Sequence, residues 1–300
     1  MTSKRQPDWP AAALALAKLI PRDRLDPRAL AAGGAVRGPW PVAFSGGADS
    51  LALLLLLWAH WPERRSRILA LHFDHCLRGR ASRDDARFCA RVCAALGVGL
   101  RTGRWEAAPR TPSEAECRAA RHAFFQQELL AARGRVLWLG HQQDDIAETL
   151  LMRIARGSGV GGLAAPRPVQ LMPGARRHLR PLLGIKKSEL LAALEVVRIP
   201  WREDASNAGD RHFRNRVRRA VIPGWIAASG RDALAGAALS RALIDEDDEA
   251  LDGWLKEIDP VRRDGALDLG KLASRPVGLV RRALRFWLGS QAPGCELSRQ

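Results

Sequence analysis

The sequence predicts an α/β fold: a parallel, doubly wound sheet followed by a small helical domain. Short apolar segments alternate with helical segments up to about residue 157, which is typical of strands joined by helices. Polar clusters follow three of the apolar segments, at 45–50, 72–78 and 141–145. In parallel sheets the ligand lies beyond the carboxyl ends of the strands. We therefore expect all three clusters at one edge of the sheet, around one ligand.

The predicted elements begin with a helix at 11–20, and each later element follows from its hydrophobic pattern. Strands are predicted at 41–45, 67–75, 99–105 and 135–141. Helices are predicted at 49–61, 82–98, 111–134, 144–157 and 186–197. Ser82 and Ser113 are expected to be N-caps, because a serine side chain accepts a hydrogen bond from the first helical turn. Helical patterns dominate from residue 223 onward, so we place a catalytic domain at 1–223 and a small helical domain at 224–300.

The charge of the chain favours an anionic partner. Its 300 residues carry a formal net charge of +16, and 48 of them are Lys or Arg. Each phosphate that a Lys or Arg neutralises releases bound counterions, so a nucleic acid would exploit this excess. Arginine-rich composition without such a partner is the alternative, and charge alone leaves it open.

Cysteine spacing and apolar runs argue against several classes of protein. The five cysteines form no Cys-x-x-Cys pair and no zinc pattern, which indicates reduced, buried thiols in a cytoplasmic protein. The apolar run at 51–61 is too short to cross a bilayer. Lys18 interrupts the run at 11–20, and no cleavage site follows that run. We therefore expect a soluble, cytoplasmic protein without a membrane partner.

Residues 42–50 read VAFSGGADS and place a glycine-rich loop between a strand and a helix. Backbone N–H groups in such a loop, together with the helix N-terminus, form a site for phosphate. The chain has no Gly-x-x-x-x-Gly-Lys-Ser/Thr pattern, so this is not the common phosphate loop. The expected nucleotide contacts are Ser45, Gly46, Gly47, Ala48, Asp49 and Ser50. Asp49 could hold Mg²⁺ on a pyrophosphate, or it could only cap the helix.

Six motifs together resemble the tRNA(Ile)-lysidine synthetases, a family of N-type ATP pyrophosphatases, or PP-loop proteins. SGGADS is similar to the signature loop of these pyrophosphatases, and the other motifs follow in the family's order and spacing. They are HFDHCLRG (72–79), GHQQDDIAET (140–149), RGSGVGGL (156–163), RPLLGIKKSEL (180–190) and EDASNAGDRHFRNRVRRAVIP (203–223). The resemblance covers roughly residues 40–223. It implies a Rossmann-like sheet of the adenine nucleotide alpha-hydrolase type and a small helical domain that contacts tRNA.

The resemblance implies a two-step ligation on tRNA. ATP adenylates the carbon-2 oxygen of the wobble cytidine in the CAU anticodon of tRNA(Ile), and pyrophosphate leaves. The ε-amine of L-lysine then displaces AMP, which leaves lysidine in the tRNA. Adenylation turns a poor leaving oxygen into a good one. The implied cofactors are ATP and Mg²⁺, the implied partners are tRNA(Ile) and lysine, and a homodimer stays open.

The resemblance also assigns roles to side chains at the other strand ends. Asp145 is expected to act in catalysis or to bind the lysine ammonium, with Asp144 and Glu148 in support. Arg214 is expected near the reacting groups, and His141 near the nucleotide. The other expected contacts to nucleotide or tRNA are His72, Arg78, Asn207, Asn215, Arg216 and Arg218. An acidic first helical turn that complements the helix dipole, and a solvated basic helix, remain the alternatives.

Three other functions compete with this interpretation. A PP-loop tRNA thiolase would need sulfur-carrying or cluster-binding cysteines, whereas Cys89 and Cys93 lie on a helix away from the expected site. A pyrophosphatase that acts on a small molecule, such as an NAD or GMP synthetase, would not need the basic segment at 211–219. A non-catalytic tRNA-binding protein with a vestigial loop would not need the carboxylates and the arginine of the site together. Release of AMP from ATP separates this last class from an enzyme.

Overall fold

The computed structural model describes residues 7–109, 111–203 and 213–291 of the chain. Its strands are β1 Trp40–Ala43, β2 Ile68–Asp74, β3 Gly99–Arg104, β4 Val136–Trp138, β5 Val169–Met172 and β6 Arg176–Leu179. Its α-helices are α1 Trp9–Leu19, α2 Pro27–Gly34, α3 Ala48–His60, α4 Arg80–Leu96, α5 Glu114–Ala131, α6 Gln143–Ile154, α7 Val160–Leu163, α8 Lys187–Val196, α9 Phe213–Arg216, α10 Ile222–Ser229, α11 Ala233–Ile258, α12 Leu269–Leu272 and α13 Val277–Gln291.

The strands form one sheet in the order β3-β2-β1-β4-β6-β5. Neighbouring strands are parallel except β5 and β6, which form an antiparallel hairpin. β1 and β4 are neighbours, with Val42 opposite Trp138, although β2 and β3 separate them in sequence. The chain therefore builds the sheet outward in both directions from this pair, and such a switch point is where doubly wound sheets bind ligands. The predicted fold class is confirmed.

Helices cover both faces of the sheet. The larger core unites β1 with α1, α3, α4 and α8, and every residue at 51–57 of α3 is fully buried. This explains why α3 is apolar all round, since a helix that packs on both a sheet and other helices has no solvent-facing side. On the other face, Phe124 and Phe125 of α5 pack against Leu71 of β2. The two cores hold the carboxyl ends of β1, β2 and β4 in fixed relation.

Local features differ from the sequence expectations at two places. The capping role expected for Ser82 is wrong, because α4 already begins at Arg80 with Gly79 as its N-cap. Gly79 has a φ of +51°, a conformation that glycine adopts readily, and it turns the chain into the helix early. The hairpin of β5 and β6 is not predicted by the sequence at all. Ser113 does form the expected cap, in a capping box with Glu116.

Helices follow the sheet up to the last described residue. α11 packs against α6 and α7, and its buried carboxylates pair with arginines from α2, from α13 and from the segment before β5. These pairs join Asp245 to Arg28 and Arg167, and Asp248 to Arg167 and Arg282. The division into domains at 1–223 and 224–300 stays a prediction. Among the helices that the structure describes, none is long and apolar enough to span a membrane.

Candidate active site

The loop SGGADS joins β1 to α3 at the switch point and offers backbone donors to an anion. Gly46 has a φ of +85°, a backbone conformation that residues with a side chain rarely adopt. Gly47 is the N-cap residue of α3, and no side chain in the described ranges caps this helix. The first N–H groups of α3 are thus left for a ligand. Ser45 and Ser50 brace the loop, with 3.0 Å between their Oγ atoms, and Ser50 Oγ donates to the Gly47 carbonyl at 3.0 Å.

Asp49, in the first turn of α3, carries an unsatisfied carboxylate oxygen. Its Oδ1 atom is buried and has no hydrogen-bond partner among the residues described. Burial raises the pKa of Asp49 to about 6, and the positive charge of Lys187 on α8 opposes this rise. Mg²⁺ takes oxygen ligands and is often held by one or two carboxylates together with substrate phosphates. The orphaned oxygen fits this mode of binding, whereas the described residues contain no cluster of three His, Cys, Asp or Glu side chains suited to a metal.

Gly140 allows β4 to approach the phosphate loop closely. A Cβ atom at this position would lie 2.9 Å from the carbonyl oxygen of Asp49 and 3.1 Å from the Cα of Ser50. Backbone atoms cannot rotate away as the end of a side chain can. The missing side chain therefore brings the polar residues that follow β4 directly against the start of α3, a role that the motif alone does not reveal.

We expect Gly140→Ala to displace the phosphate loop and to weaken ATP binding roughly tenfold or more, because overpacking costs about 1–3 kcal/mol. Titration calorimetry with ATP and chemical unfolding measure both effects. Gly236→Ala on α11 is the matched control, since nothing lies within 4 Å of a Cβ atom there. Alanine favours helix at that position, so stability should stay the same or rise slightly. Normal ATP affinity in Gly140→Ala would contradict the close-approach argument.

Asp145 and Glu148 of α6 form a buried ion-pair cluster with two arginines. Arg214 donates from Nη2 to Asp145 and from Nε to Glu148, each at 2.5 Å. Arg218 donates to the other oxygen of Glu148. Asp145 also accepts the backbone N–H of Gln142 at 2.9 Å, in the capping box that starts α6. Burial lowers the pKa of Arg214, but the two carboxylates outweigh burial and raise it overall.

The spacing of the two arginines explains why both reach α6. Arg214 lies in α9, and Arg218 lies four residues later in a π-helical turn, Val217–Val221. Residues four apart lie on one side of a helix, so both face the carboxylates while Arg216 is exposed. Asn215 is buried. Asn207, the other residue expected here, lies outside the described residues.

Asp144 contacts a different element from its neighbour in sequence. Its Oδ2 atom accepts the backbone N–H of Lys187 at 2.9 Å, at the start of α8. This contact ties α6 to α8 and leaves the charge of Lys187 near Asp49. Lys187 thus provides the cation that the phosphate loop itself lacks. The sequence offers one signal for it, since Lys187 belongs to the motif RPLLGIKKSEL.

His141 follows β4 and lies beside Arg180, at the end of β6. The Nε atom of Arg180 donates to the Nδ1 atom of His141 across 3.2 Å. Burial, and then the charges of Arg180 and Arg214, hold the pKa of His141 well below its usual value of 6.5. Arg121 and Arg118 of α5 add to the same positive field. These two arginines stand three residues apart on one side of α5 and were not identified from the sequence.

His72, expected at the nucleotide, lies beneath α4. Its Nδ1 atom donates to the carbonyl of Phe44 at 3.0 Å, and its ring is buried. The ring lines a cavity of about 260 Å³ at the ends of β2 and β3, together with Asp74 and Arg104. Its Nε2 atom has no partner within the described ranges. The ring therefore braces the end of β1.

Arg78 is connected to the phosphate loop through Asp85 of α4. Arg78 pairs with one oxygen of Asp85 at 2.8 Å, and Arg202 pairs with the other at 2.5 Å. The backbone N–H of Arg202 in turn donates to the carbonyl of Gly46 at 2.9 Å. Asp85, which the sequence did not single out, thus couples the loop after β2 to the SGGADS loop.

Comparison with known proteins first defines the class. The family described as the PP-loop domain matches residues 30–225, which include the whole sheet and both arginines of the acid cluster. The chain therefore belongs to this family. The structure also resembles that of the U34-tRNA thiolase NcsA from Methanococcus maripaludis with its [4Fe-4S] cluster. The TM-score is 0.58 at 17% identity, over 79% of this chain and 78% of the thiolase, and this likeness shows the fold alone.

Similar proteins named tRNA(Ile)-lysidine synthase confirm the resemblance that the motifs predict. The protein of Pseudomonas aeruginosa is 39% identical over 266 residues, which cover 84% of this chain and 59% of the relative. That of Xanthomonas axonopodis pv. citri is 40% identical over 84% of this chain and 57% of the relative. That of Aromatoleum aromaticum is 44% identical over 61% and 42%. The chain thus spans only part of the length of these relatives.

Proposed function

We propose that the protein is an ATP-dependent ligase that joins L-lysine to carbon 2 of the wobble cytidine in the CAU anticodon of tRNA(Ile). Membership of the PP-loop family implies use of ATP, and the relatives named above support the choice of tRNA and of reaction. One observation carries the proposal. The phosphate loop and the acid cluster meet at one switch point, because Gly140 packs against the backbone of Asp49 and Gln142, two residues later, caps the helix that carries the acid cluster.

The phosphate loop suits the first step. The carbon-2 oxygen of cytidine attacks the α-phosphorus of ATP, an oxygen–phosphorus bond forms, and the bond to pyrophosphate breaks. The N-terminus of α3 and the charge of Lys187 bind the leaving pyrophosphate. Asp49 and phosphate oxygens would hold Mg²⁺, which neutralises phosphate charge when bound. This loop therefore stabilises pyrophosphate as the leaving group. It does so without the lysine of the Gly-x-x-x-x-Gly-Lys-Ser/Thr pattern.

The acid cluster suits the second step. The ε-amine of lysine attacks carbon 2, a carbon–nitrogen bond forms, the bond from carbon 2 to the oxygen that leaves with AMP breaks, and the amine gives up its proton to the carboxylate of Asp145. Asp145 and Glu148 accept hydrogen bonds from Arg214 and Arg218. A carboxylate has about four acceptor sites, so Asp145, whose side chain is 11% exposed, can accept from the lysine ammonium while it keeps its arginine. Glu148 is 1% exposed and holds both arginines in place. Arg214 then fixes the carboxylate of Asp145 at the position where the amine binds.

A tRNA thiolase is not favoured by the cysteines. Cys89 and Cys93 are buried in α4, and burial raises the pKa of both thiols, that of Cys93 to about 12. Thiols of this kind are poor nucleophiles and poor metal ligands at neutral pH, because both roles need the thiolate. Only an experiment distinguishes the proposed ligase from a non-catalytic tRNA-binding protein, because such a protein releases no AMP from ATP.

Omission of single components tests the proposed function. The protein is incubated with labelled L-lysine, ATP with Mg²⁺, and unmodified tRNA(Ile) that carries a CAU anticodon, and each component is left out in turn. Label is expected in the tRNA only when all are present, and tRNA(Met), with the same anticodon, serves as the specificity control. Release of AMP and pyrophosphate without label in the tRNA would overturn the choice of lysine. Absence of AMP release would overturn the proposal that the protein is an enzyme.

A further inference from the structure

Arg180 is a buried cation whose hydrogen-bond acceptors are all neutral. It is 4% exposed, and burial lowers its pKa to about 10, so it is still charged at pH 7. It donates to the Arg167 carbonyl at 2.9 Å, to Gln170 Oε1 at 2.7 Å and to His141 Nδ1 at 3.2 Å. No carboxylate in the described part of the chain forms an ion pair with it. The first two bonds anchor the guanidinium to the segment that leads into β5 and to β5 itself.

The third bond fixes the tautomer of His141. A guanidinium group can only donate hydrogen bonds, so the Nδ1 atom of His141 accepts and carries no proton. The ring is neutral at pH 7, because burial and the Arg180 charge hold the pKa of His141 well below 6.5. A neutral imidazole has one ring proton, which here must lie on Nε2. The Nε2 atom makes no hydrogen bond to the described residues, and the residue is partly exposed.

His141 stands at the junction of the two halves of the site. Gly140 before it contacts the backbone of Asp49, and Gln142 after it caps α6, which carries the acid cluster. A donor at this junction suits an oxygen acceptor, and a nucleotide offers phosphate, ribose and carbonyl oxygens. We infer that Arg180 is a positioning residue that holds His141 as a neutral Nε2–H donor to a nucleotide oxygen. The identity of the acceptor rests on the proposed function; the tautomer does not.

Nuclear magnetic resonance measures the tautomer directly. Long-range ¹H–¹⁵N correlation of protein labelled with ¹⁵N-histidine reports which ring nitrogen carries the proton, and His141→Gln assigns the signals. We expect a protonated Nε2 and an unprotonated Nδ1 in the wild-type protein, with a pKa well below the usual 6.5 because of burial and the Arg180 charge. A proton on Nδ1, or titration near pH 6.5, overturns the inference whether or not the protein ligates lysine.

Arg180→Met removes the donors and the charge while keeping a long apolar side chain. In this variant we expect the fixed tautomer to be lost and the pKa of His141 to rise, because the neighbouring cation is gone. Arg177→Met, in β6 three residues before Arg180, is the matched control and should leave the His141 signals unchanged. An unchanged His141 spectrum in folded Arg180→Met overturns the inference. If that variant does not fold, the wild-type spectrum still tests the predicted tautomer of His141.

Kinetics separate positioning from a merely structural role. Arg180→Met is expected to lower kcat for AMP release roughly 10-fold to 100-fold, the loss found when the outer hydrogen-bond partner of a metal-binding histidine is removed, with a smaller change in KM for ATP. The amide nitrogen of His141→Gln takes the place of Nε2 and donates without help from Arg180. In the His141→Gln background, Arg180→Met should therefore cost less than roughly threefold. An equal loss in both backgrounds would mean that Arg180 supports the fold rather than His141.

Discussion

Arg214→Met is expected to destabilise the protein by about 3–5 kcal/mol and to abolish lysine transfer. The change removes the hydrogen bonds that Arg214 donates to Asp145 and Glu148. Removing one partner of a buried ion pair is costly because the remaining charge has no compensation. Arg218 still pairs with Glu148, so Asp145 is the carboxylate that is left without an arginine. Urea unfolding at pH 7 measures the loss of stability.

The matched control for this prediction is Arg87→Met, which breaks an exposed ion pair. Arg87 and Asp84 have side chains that are 67% and 39% exposed, so the expected loss is about 0–1 kcal/mol. A second comparison adds Asp145→Asn to Arg214→Met, while Glu148 keeps its pair with Arg218. The neutral amide removes the uncompensated charge of Asp145, so stability should partly return while lysine transfer does not. Similar losses in Arg214→Met and Arg87→Met would contradict the role given to the buried cluster.

Asp49→Asn is expected to lower the rate of adenylation by roughly 10²-fold or more, since an amide cannot replace the carboxylate that would hold Mg²⁺ on the phosphates. The same change should stabilise the protein above pH 6. Burial raises the pKa of Asp49 from 3.8 to about 6, so ionisation opposes folding as the pH rises through that range. At pH 8 the gain should be about 1–3 kcal/mol, and it should vanish near pH 3.

The pH dependence of ATP binding tests the same residue in the wild-type protein. With a pKa of about 6, Asp49 is roughly 90% ionised at pH 7 and roughly 10% ionised at pH 5. Mg²⁺-dependent ATP affinity should therefore fall about tenfold between these pH values, and it should be weak and flat in Asp49→Asn. Asp84→Asn, an exposed carboxylate on α4, should behave as wild type. Equal wild-type affinity at pH 5 and pH 7 would count against Asp49 as the ligand.

The sequence predicts the sheet because its strands are short apolar runs that end in polar clusters. β1, β2 and β4 could be found in this way, and each predicted cluster lies at a strand end. The order of the strands could not be found, since the pairing of Val42 with Trp138 joins segments far apart in the chain. The sequence did not predict the hairpin of β5 and β6. The four residues of β6, Arg176–Leu179, have low strand propensity and form a strand because they pair with β4.

The site shows a similar division between local pattern and long-range contact. The motifs identify Asp49, Asp145 and Arg214, because residue type and local spacing carry that signal. They do not show that Arg180 binds His141 or that Lys187 lies near Asp49, since tertiary packing creates both contacts. Roles in substrate binding for the individual residues remain predictions that the variants above test.

Transfer of the base oxygen to AMP is the central chemical claim, and an isotope measures it directly. Unmodified tRNA(Ile) is prepared with ¹⁸O at carbon 2 of the wobble cytidine, and the protein is given this tRNA with ATP, Mg²⁺ and L-lysine. Mass spectrometry then compares AMP with the modified nucleoside. We expect each AMP to carry one ¹⁸O atom, in step with lysine incorporation. AMP without ¹⁸O, or ¹⁸O retained in a tRNA that has gained lysine, would contradict adenylation of the base.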